Sequence, residues 1–164
     1  MNPTTMQNTG LLLLRLVVGV TFLLHGLDKL GDLSGTEALF ASLEIPAPGL
    51  MAPFVAVTET VGGLLLIAGL ATPLVGVALA VDMSVALLTQ HIGNGFFVRD
   101  GGIELVLLLG AASLALALAG AGRFSADAAM GLPQDVRAAG ARVRKLALRS
   151  RKHEQTPATR KVTS

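Results

Sequence analysis

The chain has 164 residues, of which 52% are hydrophobic and only 15% are charged. A soluble domain usually carries about 25% charged residues, so this composition favours an integral membrane protein over a water-soluble fold. The net charge of +2 hides an asymmetry, because residues 1–122 carry three basic and eight acidic side chains whereas residues 123–164 carry ten basic and three acidic ones. Cysteine is absent, which excludes disulfides, thiolate catalysis and cysteine-ligated clusters within the chain.

The first apolar segment, at about 9–30, predicts a membrane-spanning helix. A secretory signal peptide is the alternative, but no basic region precedes this segment and no A-x-A site follows it. The polar stretch at 31–48 comes next, and its portion at 36–43 predicts a short interfacial helix.

Three further apolar segments have a length close to the ~20 residues that cross a ~30 Å hydrocarbon core. They lie at about 50–70, 74–91 and 101–120. The second and third spans are joined by a very short turn, which predicts an antiparallel pair. We therefore predict an all-α fold, a four-transmembrane-helix bundle over residues 1–130.

The orientation follows from the basic residues that come after the last span. Lys and Arg are enriched in cytoplasmic segments, so the tail at 131–164 predicts a cytoplasmic C-terminus. An even number of spans then places the N-terminus in the cytoplasm as well. Apolar residues recur in the tail at helical spacing, so it is either a basic amphipathic helix on the membrane surface or a solvated, disordered segment. Nucleic-acid binding is not expected, because no aromatic residues alternate with these charges.

Ionisable residues inside the predicted spans are the most informative feature. A charge at the centre of a bilayer costs about 2.5–3.5 kcal/mol, so such residues should face the bundle interior and find partners. The residues within the spans or near their ends are Arg15, His25, Lys29, Glu59, Asp82, His91 and Glu104.

Depths estimated from the helical rise of ~1.5 Å per residue suggest two groups. Arg15 and Asp82 lie roughly 9 and 12 Å from the inner face, so an ion pair between them is geometrically possible. The residues closer to the outer face predict a polar pocket that opens outward: His25, Lys29, Glu59 and Glu104. The alternative is that these charges only fix the register of the helices. We predict no metal site, because the histidines lie in no local ligand motif.

Several short motifs occur together in a particular order and spacing. They are Arg15-Leu16, His25-Gly26 followed by Lys29, Pro48, Glu59 with Gly62-Gly63, Gly69-Leu70-Ala71-Thr72, and the run GAGRFSAD at 120–127. In these motifs the chain resembles the DoxX family of small four-helix membrane proteins, over about residues 10–130. The resemblance implies a bacterial inner-membrane protein that serves as an oxidoreductase component. Some members of the family are membrane subunits of thiosulfate:quinone oxidoreductase, and others associate with detoxification or sulfur-transfer partners.

On this basis we predict a membrane subunit of a quinone-linked oxidoreductase, with Glu59 and His25 as catalytic residues. The predicted quinone-binding residues are Arg15, His25, Lys29, Glu59 and Glu104. Arg15, His25 and Lys29 would donate hydrogen bonds to the quinone, while Glu59 would exchange a proton. Electrons would come from a soluble redox or sulfur-transfer partner, because the chain has no cysteine for a cluster and no nucleotide fingerprint.

Two other functions stay open at this point. The chain could be a non-catalytic scaffold that recruits redox or stress-response proteins through its basic tail. It could also be a small transporter or a proton pathway, although internal repeats and broken helices are absent from the sequence pattern.

Overall fold

A computed structural model describes residues 3–131, and every regular element in this part of the chain is helical. The helices are α1 Pro3–Gly31, α2 Leu33–Ser42, α3 Pro48–Ala68, α4 Thr72–Ala86, α5 Glu104–Ala119 and α6 Ala126–Ala129. A π-helical turn, Leu87–His91, extends α4, and a 3₁₀ turn, Val98–Asp100, lies in the loop before α5. The all-α prediction is confirmed, whereas the predicted basic tail lies outside the described residues from position 132 onward.

Three helices are long and apolar enough to cross a membrane: Thr4–Gly31, Pro48–Ala68 and Thr72–His91. The fourth apolar helix, Glu104–Ala119, has 16 residues and spans about 24 Å. It begins three residues later than predicted, because the preceding residues form a turn in which the Ile103 amide donates to the Gly95 carbonyl over 3.0 Å. The sequence therefore identified the four apolar helices but overestimated the length of the last one.

The outer surface of these helices is strongly apolar. Large exposed side chains include Leu13, Val17, Leu64, Leu74, Leu108 and Leu118. Contiguous apolar surface of this kind is unfavourable in water, whereas lipid tails accept it. The chain is accordingly a multi-pass membrane protein whose helices contact the lipid bilayer.

Glycines allow α1 and α3 to pack backbone against backbone. A Cβ atom on Gly63 would lie 2.6 Å from both the Gly19 carbonyl oxygen and the Leu23 amide nitrogen, and one on Gly26 would lie 2.4 Å from the Thr60 amide nitrogen. The residue numbers at these contacts increase along α1 while they decrease along α3, so the two helices are antiparallel. Small residues are the usual means by which membrane helices approach closely, since van der Waals packing replaces the hydrophobic effect there.

The helices α3 and α4 form a tight antiparallel hairpin. Gly69 ends α3 in a left-handed conformation (φ +70°), and α4 begins three residues later at Thr72. A Cβ on Gly62 would lie 3.1 Å from the Leu79 side chain, which shows how closely the two helices pack. The buried core between the long helices consists of Val18, Phe22, Leu66, Val75, Leu79, Met83, Val106, Leu109 and Leu116.

The end of the bundle that contains this turn, the Gly69 end, is closed by the residues after α5. The carboxylate of Asp127 accepts hydrogen bonds from the amides of Ala71 (2.9 Å) and Thr72 (3.3 Å), and its own amide donates to the Gly69 carbonyl over 3.0 Å. Two backbone donors at the start of α4 are thus satisfied by a side chain 55 residues away from Thr72.

Arg15 belongs to the same end of the bundle. Its guanidinium is only 1% exposed and donates to the carbonyls of Leu66 (2.9 Å), Phe124 (2.9 Å) and Ala121. The ion pair with Asp82 that the depth estimates allowed is therefore not formed, because Arg15 bonds backbone carbonyls instead. Arg15 lies close to the turn of the hairpin, where backbone carbonyls left free by the ends of α3 and α5 take up its donors.

Candidate functional site

A cavity of about 530 Å³ lies at the opposite end of the bundle, which we call the α2 end. Its walls come from the C-terminal parts of α1 and α4, the N-terminal parts of α3 and α5, and α2 from Gly35 onward. Apolar side chains such as Phe22, Phe40, Met83 and Leu109 line much of it. Its ionisable lining residues are His25, Asp28, Lys29, Asp32, Glu59, Asp82 and His91.

Lys29 and Glu59 form a salt bridge inside this cavity. The ammonium nitrogen of Lys29 lies 2.6 Å from Oε2 of Glu59, and their side chains are 25% and 3% exposed. The antiparallel contact of α1 with α3 brings the two residues to the same depth. Since a buried carboxylate is costly without a partner, Lys29 stabilises Glu59 in its apolar surroundings.

Asp82 lies beside Glu59 and interacts electrostatically with both Glu59 and Lys29. Its Oδ2 atom is buried and has no hydrogen-bond partner. The sequence contained a signal for this contact, because Glu59 lies ten residues before Gly69 and Asp82 lies eleven residues after Ala71. Residues equally distant from the turn of an antiparallel hairpin face each other, so Asp82 joins Glu59.

His91 enters the same cavity through the π-helical turn. It lies nine positions after Asp82, which in a regular α-helix amounts to two and a half turns and would place the two on opposite faces. The π turn, in which the Ile92 amide donates to the Leu87 carbonyl over 2.9 Å, widens the helix and delays this rotation. Nδ1 of His91 then reaches the Gly101 carbonyl at 2.6 Å, and the ring lines the cavity.

The short helix α2 forms one wall of the cavity. Asp32 caps its start by accepting from the Gly35 amide at 2.9 Å, and Phe40 is buried beneath it. The sequence predicted this helix at 36–43, and the cap explains why it begins three residues earlier. The chain returns from α2 to α3 through Glu44 and Ala47, which both adopt left-handed backbone conformations (φ 56° and 51°).

The balance of charge around the cavity is acidic. Four carboxylates line it, those of Asp28, Asp32, Glu59 and Asp82, whereas Lys29 supplies the ammonium group, which gives a formal charge of −3 with the histidines neutral. Such a site disfavours small anions and accepts neutral or cationic ligands. Within residues 3–131 no group of three or more His, Asp or Glu side chains has the arrangement of a metal site.

A family model for DoxX matches residues 10–92, which is half of the chain and includes most of α1 and all of α2, α3 and α4. The chain belongs to the DoxX family. A curated relative, named "Putative oxidoreductase CatD", from Bacillus subtilis (strain 168), is 39% identical over 111 residues, covering 68% of this chain and 79% of CatD. No solved structure matches the chain. The resemblance predicted from the sequence motifs is thereby confirmed.

The matched part of this DoxX protein carries the ionisable residues of the cavity. Of the residues predicted to bind a ligand, the structure brings together His25, Lys29 and Glu59, with His25 exposed on α1. Arg15 lies at the Gly69 end instead. Glu104 does not line the cavity, and its Oε2 accepts from the Val98 amide at 3.0 Å, which fixes the loop before α5. Sequence reasoning did not place Asp82 or His91 in this site.

Proposed function

We propose that this DoxX protein is a membrane subunit of a quinone-linked oxidoreductase and that the cavity at the α2 end binds the quinone head group. The observation that carries the proposal is an apolar cavity between membrane-spanning helices whose wall contains the Lys29, Glu59 and Asp82 cluster. A volume of about 530 Å³ lies within the roughly 300–1,000 Å³ of small-molecule sites. A neutral aromatic ring with two polar edges fits both the apolar walls and the acidic charge.

Each polar residue of the cavity has a role in this proposal. A bound quinone supplies the capacity to take up two electrons and two protons. Lys29 keeps two N–H donors besides the one directed at Glu59, and these together with His25 hydrogen-bond a carbonyl oxygen. Glu59 and Asp82 exchange protons with the ligand, since their carboxyl groups lie side by side at the cavity wall.

The electrons come from a partner protein under this proposal. The chain has no cysteine to hold a cluster, and no nucleotide-binding motif occurs in its sequence. The name "Putative oxidoreductase CatD" supports a redox function for this chain. A soluble redox or sulfur-transfer protein that docks on the membrane subunit is the kind of donor that we infer.

We further propose that the protein lies in the bacterial inner membrane with both termini in the cytoplasm. The excess of basic residues after position 122 supports this orientation, because Lys and Arg near the ends of spans are retained on the cytoplasmic side. The cavity, the α2 helix and the loop before α5 then face the outer side of the membrane.

The proposal is tested by measuring quinone binding to the purified protein in detergent. Because the chain has no Trp or Tyr, isothermal titration calorimetry is preferable to intrinsic fluorescence. We expect menadione to bind, and Lys29→Met to weaken binding by about tenfold, the equivalent of about 1.4 kcal/mol, through loss of the donor. Ser84→Ala is the control, because Ser84 is exposed and bonds the Ala80 carbonyl of its own helix.

A second measurement addresses proton exchange. The electron donor is obtained by copurification from native membranes, and quinone reduction is followed in the reconstituted complex. Glu59→Gln should retain binding and lose most of the partner-dependent reduction, because the amide cannot exchange a proton. Absence of ligand binding to the wild-type protein would refute the quinone site, and full reduction by Glu59→Gln would refute the role of Glu59 in proton exchange.

A further inference from the structure

The polar atoms of the cavity are predominantly hydrogen-bond acceptors. Four carboxylates line it, and the buried Oδ2 of Asp82 has no partner. The hydroxyls of Thr36 and Thr89 also line the cavity, but each donates its hydrogen to a carbonyl of its own helix, Asp32 at 2.9 Å and Val85 at 2.8 Å. Both threonine oxygens therefore remain available only as acceptors.

His91 adds another acceptor for a geometric reason. A carbonyl oxygen can only accept, so the contact of 2.6 Å with Gly101 requires the proton of the imidazole to lie on Nδ1. In the neutral ring Nε2 then carries a lone pair. The donors among the lining residues are fewer: Lys29, which already bonds Glu59, together with His25 and the amide of Gln90.

We propose that the cavity selects the reduced, hydroxyl-bearing form of its ligand, a quinol, over the oxidised quinone. A quinone offers only acceptors, whereas each hydroxyl of a quinol donates one hydrogen bond. The unpartnered Oδ2 of Asp82 and Nε2 of His91 provide acceptors for such donors. This inference rests on the proposed function and assigns the preferred redox form at the same site.

The preference has a consequence for electron transfer. Tighter binding of the two-electron reduced form raises the reduction potential of the bound pair, by about 30 mV for each tenfold ratio of affinities. The bound quinone is thus a stronger oxidant than the quinone free in the membrane. The acceptors in the cavity thereby favour electron flow from the partner protein into the quinone.

The test compares three ligands of nearly the same shape on the full-length protein in detergent. They are menadione, menadiol kept reduced under anaerobic conditions, and 1,4-dimethoxy-2-methylnaphthalene, in which methyl groups replace the hydroxyl hydrogens. Calorimetry should give menadiol an affinity about tenfold higher than that of menadione. The dimethyl ether should bind no better than menadione, because it has lost both donors.

Two variants assign the effect to the acceptors. Asp82→Asn turns one oxygen into an amide donor of nearly the same size. The ratio of the affinity for menadiol to that for menadione should therefore fall towards one. His91→Asn places an amide donor where Nδ1 was, which keeps the bond to Gly101 while removing Nε2, and should also reduce the preference. Ser84→Ala should leave it unchanged, and thermal melting verifies that each variant is folded.

The outcomes separate this inference from the function on which it rests. Equal affinity for menadiol and menadione, or tighter binding of menadione, overturns the selection of the reduced form but leaves a quinone site. An Asp82→Asn variant with the full preference also overturns it. If neither menadione nor menadiol binds, the proposed function fails and this inference fails with it.

Discussion

At the scale of residues, the cluster of Lys29, Glu59 and Asp82 contains more acidic than basic groups. Two neighbouring carboxylates share a single ammonium group, and all three line the same cavity. Removing the ammonium leaves the buried charge of this carboxyl pair without a cation partner in apolar surroundings. Removing the Glu59 charge leaves Lys29 with Asp82 as an alternative partner. The two members of the salt bridge should therefore differ in their contribution to stability.

We expect Lys29→Met to destabilise the protein by about 3 kcal/mol, near the lower end of the range for breaking a buried pair, because a quarter of the Lys29 side chain is exposed. Glu59→Gln should cost less than about 1 kcal/mol, in the range of an exposed pair, because Asp82 can take its place beside Lys29. Thermal unfolding in detergent, followed by circular dichroism, measures both. Equal losses for the two variants would show that Asp82 does not substitute for Glu59.

At the scale of helices, the close approach of α1 to α3 determines whether Lys29 reaches Glu59 at all. The backbones touch at Gly19, Gly26 and Gly63, where any Cβ would lie 2.4–2.8 Å from backbone atoms of the facing helix. The Gly69 end is held differently, through buried hydrogen bonds from Arg15 and Asp127 to backbone groups. One end of the bundle is thus sealed, while the α2 end leaves room for the cavity.

Gly63→Ala should destabilise the protein by about 1–3 kcal/mol, the usual cost of overpacking, and should also weaken menadione binding because α1 and α3 are forced apart. Gly10→Ala is the matched control, since Gly10 lies in α1 and a Cβ added there would contact nothing within 4 Å beyond the backbone of its own helical turn and its chain neighbours. That substitution should stabilise the helix by up to about 1 kcal/mol. A Gly63→Ala protein as stable as wild type, while Gly10→Ala behaves as stated, would contradict this account of the packing.

At the scale of the whole molecule, the orientation in the membrane decides on which side the cavity opens and on which side the basic tail lies. Each of the four apolar helices runs antiparallel to the next one along the chain. The helix α2 and the loop before α5 therefore lie at one end of the bundle, and residues 120–131 lie at the other. The residues that follow α5 and the cavity are therefore at opposite ends of the bundle.

The absence of cysteine makes this orientation directly testable. A Ser34→Cys variant carries a thiol on the exposed surface of α2, and a Ser150→Cys variant carries one in the basic tail. A membrane-impermeant maleimide applied to spheroplasts should label the first variant and should label the second only after lysis. The unaltered protein is the blank. Labelling of Ser150→Cys in intact spheroplasts would reverse the proposed topology.

The sequence alone determined the helical class, the four apolar segments and the family, because each depends on composition, segment length and local motifs. It also identified Lys29 and Glu59, since charges in apolar segments stand out in any linear reading. It placed both residues in one polar pocket but did not pair them. Arg15 was misassigned because a buried guanidinium satisfied by backbone carbonyls cannot be distinguished from one paired with a carboxylate until the ends of the helices are known.

Only the tertiary structure decided which charges share the cavity. Asp82 joins Glu59 because the hairpin between α3 and α4 fixes the register of the two helices. His91 turns inward because five residues adopt a π-helical turn. This turn rotates the following side chains around the helix axis, and the spacing of hydrophobic residues in the sequence does not reveal it. Contacts between helices depend on the shift and the rotation of one helix relative to the other. Both are set by packing along many residues. A sequence therefore identified the ionisable residues in the spans, whereas the packed helices determined which of them meet.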